Sequence, residues 1–318
     1  MRAAYYERFG AASDVLAIGE MDAPTPGPGE VLVRLHASGI NPSDVKLRAG
    51  ARPGATMAYP RVIPHSDGAG VVVAGDMAEG TRVWVWNAGW QRAFGTAAEF
   101  VCLPVSQVAA LPETTSFAEG ATLGIPAMTA WYALDGIAPG ATVLVTGGAG
   151  SVGRYACQMA RLMGARVITT VSSEAKAQHS GAEEWINYRE ADVPAALMDL
   201  TDGHGVDRIV DVDFAANQDI AVQCLKPGGT ISTYASASQM VPELQFYPLM
   251  FKNITLRMLI VYQLTGEARL RGTAQLNAWL AAGALKHAVV PGGGLDDIAK
   301  AHDHVAAGEK LGTVVLEI

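Results

Sequence analysis

The sequence predicts an α/β protein in which a doubly wound parallel-sheet domain is inserted into a second, mostly β domain. Three observations predict it. The first third reads as short strand-sized runs broken by turn residues, the middle alternates strand with helix, and the last residues return to a β run after two helical stretches. The length agrees, because 318 residues exceed one compact domain and leave room for two cores.

In the first third, residues 31–36 alternate, 70–74 are β-branched and 82–86 alternate again, with Pro24, Pro26, Gly27, Pro28 and Gly29 as turn signals before them. This compact β domain ends near residues 116–119. From there to about Tyr262 the rhythm is the one a parallel sheet with crossover helices requires. Residues 143–146 form a short buried strand. A helix follows with Val152, Ala156, Met159, Ala160 and Met163 at helical spacing and Gly164 closing it. Further strands are predicted at 166–171, 208–211, 230–234 and 254–260, with Leu225-Lys226-Pro227-Gly228-Gly229 as a turn, in a sheet expected to hold six strands. Helices over 274–282 and 296–307 precede a last strand at 313–317, which can return to the N-terminal domain and make it discontinuous. The predicted division is 1–118, 119–262 and 263–318.

Composition excludes several function classes. The net charge is −8 and no basic run occurs, so a nucleic-acid surface is excluded. Half the residues are apolar and only 17% are charged, which suits a well-buried fold and argues against disorder. Cys102, Cys157 and Cys224 are widely separated and make neither a C-x-x-C pair nor a disulfide framework, so reduced thiols are expected. Residues 1–8 lack the apolar core of a signal peptide and no stretch approaches the ~20 apolar residues of a membrane span. The expectation is a cytoplasmic protein without a membrane partner.

The strand at 143–146 runs straight into Gly147-Gly148-Ala149-Gly150-Ser151-Val152-Gly153 and then a helix. Gly148, Gly150 and Gly153 therefore satisfy G-x-G-x-x-G in the strand–turn–helix context of a Rossmann dinucleotide site. The glycines let the backbone turn and approach a pyrophosphate, and the N–H groups of Ser151, Val152 and Gly153 offer donors to an anion. A site selecting NAD usually ends its second strand on an acidic residue for the ribose 2′-OH. Here the strand ends Val171-Ser172-Ser173 and Lys176 follows. Small hydroxyls and a cation leave room and charge for a 2′-phosphate, with Tyr188 and Arg189 available to stack on adenine or add charge. Glu174 is the counter-signal, and a solvated helix-start lysine is the plain alternative for Lys176. The predicted cofactor is NADPH.

Several segments together resemble the medium-chain dehydrogenase/reductase superfamily, in its zinc-free quinone oxidoreductase branch. They are Pro28-Gly29-Glu30-Val31-Leu32-Val33, Gly39-Ile40-Asn41-Pro42-Ser43-Asp44, Ser66-Asp67-Gly68-Ala69-Gly70, Gly124-Ile125-Pro126-Ala127-Met128-Thr129-Ala130, the glycine loop, and Ile186-Asn187-Tyr188-Arg189. The resemblance spans nearly the whole chain and implies a GroES-like β domain split by a Rossmann domain, with the active site in the cleft between them. Zinc alcohol dehydrogenases of this superfamily have a metal-binding Cys where this chain has Asn41 and a His where it has Ser66. Neither replacement suits zinc, which favours thiolate and imidazole. No Cys lies between Trp84 and Phe100, so the structural-zinc lobe is missing too. His65, beside the lost ligand position, reads as structural.

Without a metal, the acceptor carbonyl must be polarised by hydrogen-bond donors or a cation. The resemblance implies that Asn41 lies near the nicotinamide and substrate oxygen, that Asp44 fixes the 41–48 loop, and that Thr129 faces the nicotinamide. It also implies that the backbone of Ile260, Val261 and Tyr262 holds the carboxamide. Asn-Pro-Ser-Asp is equally a good turn and helix-cap sequence. The family frequently has a Tyr where this chain has Lys46, which can serve as proton donor or stand as an exposed charge. Trp84 reads as core, while Trp86 and Trp90 are candidates for walling a pocket for a flat acceptor.

The expected activity is NADPH-dependent, zinc-independent reduction of a quinone or an α,β-unsaturated carbonyl compound by a homodimer. The rival readings are a non-catalytic NADPH-binding protein of the same fold and, disfavoured by the ligand positions, a zinc alcohol dehydrogenase.

Overall fold

The computed structural model describes residues 1–51 and 54–318. The chain divides into two compact units, one formed by Met1–Ile125 with Arg269–Ile318 and the other by Pro126–Ala268.

In the first unit β1 (Arg2–Tyr5) pairs antiparallel with β2 (Ala17–Glu20). The spine of its larger sheet is β3 (Glu30–Ile40), which pairs antiparallel with β4 (Asp67–Gly75) and with β6 (Phe100–Pro104); β4 continues to β5 (Arg82–Val85) and β5 to β7 (Val108–Ala110). The alternation along β3 turns Val31, Val33 and Leu35 onto Val72, Val83, Val85, Val101 and Leu103 in one core. Each of these buried Val or Leu side chains contributes about 1.5–3 kcal/mol by leaving water. The strand outruns the predicted 31–36 because 37–40 has no alternation of its own and is held extended by its neighbours.

The second unit is a six-stranded sheet. Its strands are β8 (Thr142–Thr146), β9 (Arg166–Val171), β10 (Glu184–Asn187), β11 (Val206–Asp211), β12 (Leu225–Thr233) and β13 (Thr255–Met258). All its pairs are parallel, in the order β10-β9-β8-β11-β12-β13. The order reverses between β8 and β11, the switch point outside whose carboxyl ends such sheets bind ligands.

The helix Ser151–Leu162 closes as predicted: Gly164 has φ +82, its N–H donates to Arg161 O, and Ala165 N–H donates to Ala160 O, both at 2.9 Å. Its buried residues include Gly153, Tyr155 and Cys157 as well as Ala156, Met159 and Ala160, whereas Val152 and Met163 are half-buried. The helix is buried on more than one side because it also packs on helix Met128–Leu134. Two other expectations need correction. Leu225 to Gly229 are not a separate turn but the start of β12, bulged where its register against β11 shifts. The strand predicted over 254–260 stops at Met258, and Val261–Gln263 form a 3₁₀ turn closed by Gln263 N–H to Ile260 O at 3.1 Å.

The chain then re-enters the first unit. Helices Gly266–Ala281 and Ile298–Ala307 flank β14 (Val289–Pro291), and β15 (Thr313–Glu317) inserts between β14 and β3, antiparallel to β3. The terminal strand thus returns as the sequence suggested. No helix among the described residues is long and apolar enough to cross a membrane.

A buried polar chain crosses the first unit's core, and its proton positions follow by counting donors. Thr96 Oγ1 donates to Asp67 O at 2.7 Å, so its single proton is used. Ser38 Oγ, 2.8 Å away, must donate to Thr96, and then accept from His65 Nδ1–H at 2.8 Å. His65 is left with a bare Nε2, which accepts from His302 Nε2–H at 2.8 Å. The remaining His302 Nδ1 is therefore a bare acceptor, and it is buried with no hydrogen-bond partner. His65, expected to be structural, is the hinge of this chain, and it holds φ +75 to reach it.

Candidate functional site

The second unit carries the glycine loop of the dinucleotide site. The glycine loop leaves β8 through Gly147, at φ +68, and the helix ladder begins with Arg154 N–H to Gly150 O at 2.9 Å. The N–H groups of Val152 and Gly153 therefore precede the ladder at the positive end of a helix of 12 residues, which Ser151 opens. Two glycines are set by close approach. A Cβ on Gly153 would fall on the Gly147 carbonyl oxygen and 2.8 Å from Gly148 Cα; one on Gly148 would fall on the Thr169 side chain. The loop thus fits a pyrophosphate, which needs bare backbone at this distance.

At the end of β9 the sequence-predicted residues converge. Lys176 Nζ donates to Ser172 Oγ at 3.0 Å, and Ser173 caps the following helix by accepting from Lys176 N–H at 3.4 Å. Tyr188 is brought alongside, since its N–H donates to Val171 O at 3.1 Å, and its ring is exposed. Glu174 is exposed in the first turn of the helix. Thr129 is buried on helix Met128–Leu134. Ile260 is exposed, and Val261 and Tyr262 lie in the 3₁₀ turn rather than on the sheet.

Sequence reasoning missed Asp211, at the carboxyl end of β11. It accepts from Thr146 Oγ1 at 3.0 Å, Asn217 Nδ2 at 2.8 Å and Thr233 Oγ1 at 2.9 Å, tying the ends of β8, β11 and β12 at the switch point. Burial raises its pKa against these three donors and the Asp213 N–H. An acidic residue ending a sheet strand was the available signal.

The first unit carries a buried polar cluster around Asn41. Asn41 caps helix Pro42–Arg48, which replaces the expected loop, and its N–H donates to Asp44 Oδ2 at 2.8 Å. Its side chain turns inward: Asn41 is 2% exposed and Nδ2 donates to Asp67 Oδ2 at 2.9 Å. Asp44 is also buried, whereas Lys46 is exposed on another face of the helix and does not join this cluster. Trp86 is buried against Trp84, with ring centroids 4.8 Å apart, and the Arg269 guanidinium lies 5.4 Å from its centroid. Trp90, half-buried, follows a tight turn in which Asn87 has φ +57.

Asp67 and Arg269 are the residues the sequence did not single out here. Asp67 is fully buried and accepts from Ile125 N–H at 2.8 Å as well as from Asn41. Burial first, with the Asp44 charge adding, pushes its carboxyl up to about 8, against these two donors and the Arg269 cation. Burial lowers Arg269 to about 10, with Asp67 opposing.

Fold and site together define a dinucleotide-binding oxidoreductase of the Rossmann class. Comparison with known proteins gives the family. Residues 27–113 match the alcohol dehydrogenase GroES-like domain and residues 151–278 the zinc-binding dehydrogenase family. A quinone oxidoreductase of Mus musculus is 34% identical over 247 residues, covering 73% of this chain and 72% of that protein. One of Homo sapiens is 29% identical over 322 residues, covering 97% and 94%. A mycobacterial structure complexed with NADPH superposes with a TM-score of 0.87 at 29% identity, covering 100% of both chains. The chain belongs to the medium-chain dehydrogenase/reductase superfamily, in its quinone oxidoreductase branch, and is an oxidoreductase by that membership.

The zinc in one of those family descriptions does not fit the residues present. Asn41 offers an amide already bonded to Asp67, and Ser66 offers a buried hydroxyl. Among the described residues no group of three or more His, Cys, Asp or Glu side chains is gathered as a metal ion requires.

Proposed function

We propose that the chain is an NADPH-dependent, metal-independent reductase of a quinone or an α,β-unsaturated carbonyl compound. The observation that carries this reading is the Lys176–Ser172 pair at the end of β9, a cation and hydroxyls where selection of NADH would place a carboxylate. NADPH bound there supplies the hydride. Gly148, Gly150 and Gly153 admit the pyrophosphate to the backbone, Ser151, Val152 and Gly153 present N–H groups to it, and Tyr188 flanks the adenine. Asn41 offers a donor N–H toward the acceptor oxygen, and Trp86 and Trp90 exclude water from a flat acceptor. Water delivers the single proton that completes the reduction after hydride transfer, since Lys46 stands apart from the Asn41 cluster.

The purified protein is expected to oxidise NADPH with members of a panel of quinones and enones, at a rate unchanged by dialysis against a chelator. No turnover above blank with NADPH demonstrably bound supports the non-catalytic reading instead. Stoichiometric zinc, with loss of turnover on chelation, restores the alcohol dehydrogenase reading.

Lys176→Ala should raise the Kd for NADPH by about 10- to 100-fold, the worth of one charge-assisted contact, and leave NADH binding nearly unchanged. Titration by cofactor fluorescence checks this. An equal loss for both cofactors would show that Lys176 does not read the 2′-phosphate.

A homodimer through β13 belongs to the same proposal. This edge strand carries Met258 at 74% exposure, and Phe251, on helix Phe246–Phe251 just before it, is 78% exposed. An open apolar sheet edge is covered most simply by its own copy. Sedimentation should give a dimer, and Met258→Lys should weaken it; a wild-type monomer at micromolar concentration rejects this part.

A further inference from the structure

Beyond the roles already assigned, one buried carboxylate has no part in folding that its cost explains. Asp67 opens β4, where Gly39 lies opposite it in the register and Thr96 holds its carbonyl. Its side chain receives two donors on the same oxygen, Asn41 Nδ2–H and Ile125 N–H, while Oδ1 is buried with no hydrogen-bond partner. Space for that carboxyl exists only because residue 124 is glycine: a Cβ there would fall on Oδ1 and 2.8 Å from Cγ. An apolar side chain would fill this site without an orphan oxygen.

What the carboxyl does is fix an amide. An Asn side chain can exchange its oxygen and nitrogen by a half-turn with almost no change of shape, and only its partners decide which end faces where. The Ile125 N–H cannot turn and can only donate, and two N–H donors converge on Oδ2, so Oδ2 is the carbonyl-type acceptor and a proton taken up by Asp67 belongs on Oδ1. Asn41 must therefore present N–H to Oδ2 in both states. We propose that Asp67 is the positioning residue of the acceptor-side half-site: through Oδ2 it locks the orientation of the Asn41 amide, so that the second Nδ2–H is a single donor held in one direction. This rests on the functional reading above, in which that donor meets the acceptor oxygen. The charged and titratable groups facing Asp67 are Asp44 on helix Pro42–Arg48 and Arg269 on helix Gly266–Ala281; the carboxyl, pushed up to about 8, holds its proton through neutral pH without releasing the amide.

The test combines kinetics with a signal that does not need turnover. Asp67→Ala should lower kcat by about 100-fold, the usual worth of one preorganised donor, with a much smaller change in the acceptor KM. Asp67→Asn should recover most of that loss, because its amide oxygen can take the Ile125 and Asn41 bonds together. In an Asn41→Ala background Asp67→Ala should cost little more, since both remove one device. Independently, ¹⁵N spectra should show one exchange-protected Asn41 side-chain N–H in wild type and in Asp67→Asn; in Asp67→Ala the protection should vanish. The proposal is overturned by additive kcat losses, by a folded Asp67→Asn whose kcat falls as far as that of Asn41→Ala, or by Asn41 protection that survives Asp67→Ala. Should wild type show no turnover, the functional reading fails alone, and the amide signal still decides whether Asp67 holds Asn41.

Discussion

Gly153→Ala is expected to abolish useful NADPH binding while the protein remains folded. The new methyl would fall on the Gly147 carbonyl oxygen and 2.8 Å from Gly148 Cα, and both are backbone atoms that no rotamer change can move aside. The loop must shift away from the helix start, taking its N–H groups out of reach of the pyrophosphate. Losing one or two charge-assisted hydrogen bonds is worth about 3 kcal/mol, or roughly 100-fold in Kd. Calorimetric titration with NADPH, alongside a melting curve to verify folding, measures it. A folded variant whose Kd stays within about threefold of wild type would remove the glycine loop from the cofactor site.

Acid should unfold the first unit through its buried imidazoles. Burial lowers the pKa of both, with His302 lowering His65 further and Arg48 pushing His302 further down, to about 3. The unfolded chain takes up these protons near pH 6.5 while the folded chain refuses them, so their contribution is complete above that pH and is lost as pH falls toward 3. At pH 5 the loss from His302 alone is about 2 kcal/mol. Asp67 works in the opposite sense, because its raised pKa favours the folded state as pH falls toward the ordinary carboxylate range. The clean measurement is therefore a difference: the stability gap between wild type and His302→Gln in urea should shrink by about 2 kcal/mol between pH 7 and pH 5. A gap independent of pH would show that the imidazole pair is not held neutral.

The parts of the fold legible in the sequence were those whose local pattern and tertiary role agree. Residues 166–171 and 313–317 are β-branched runs bounded by turn residues, and they form β9 and β15 with those limits. The edge strand β10 carries no such pattern; its Trp185 faces solvent and its extension comes from pairing with β9. The run at 254–260 alternates Ile254, Leu256 and Met258 with Thr255 and Arg257 and then stays apolar through Leu259 and Ile260, so its composition remains strand-like past Met258, where the sheet ends.

The site divides the same way. The glycine loop and the Ser172–Lys176 pair lie within single strand–helix junctions, where a motif can carry them. Asn41 and Asp44 were legible as a cap for the same reason. The inward turn of Asn41 was not, because its partner Asp67 is 26 residues away and the Arg269 cation comes from the far end of the chain. His65 and His302 meet across 237 residues, a separation at which no spacing rule operates.

That return of β15 to lie against β3 also sets the order in which the chain can be built. A ribosome releases the whole of Pro126–Ala268 as one uninterrupted stretch, so the nucleotide-binding unit can close while its neighbour still waits for its final strand. Synthesis leaves the edge of β3 open to solvent until Thr313–Glu317 emerge, and a chain cut before them would leave the N-terminal unit permanently unfinished.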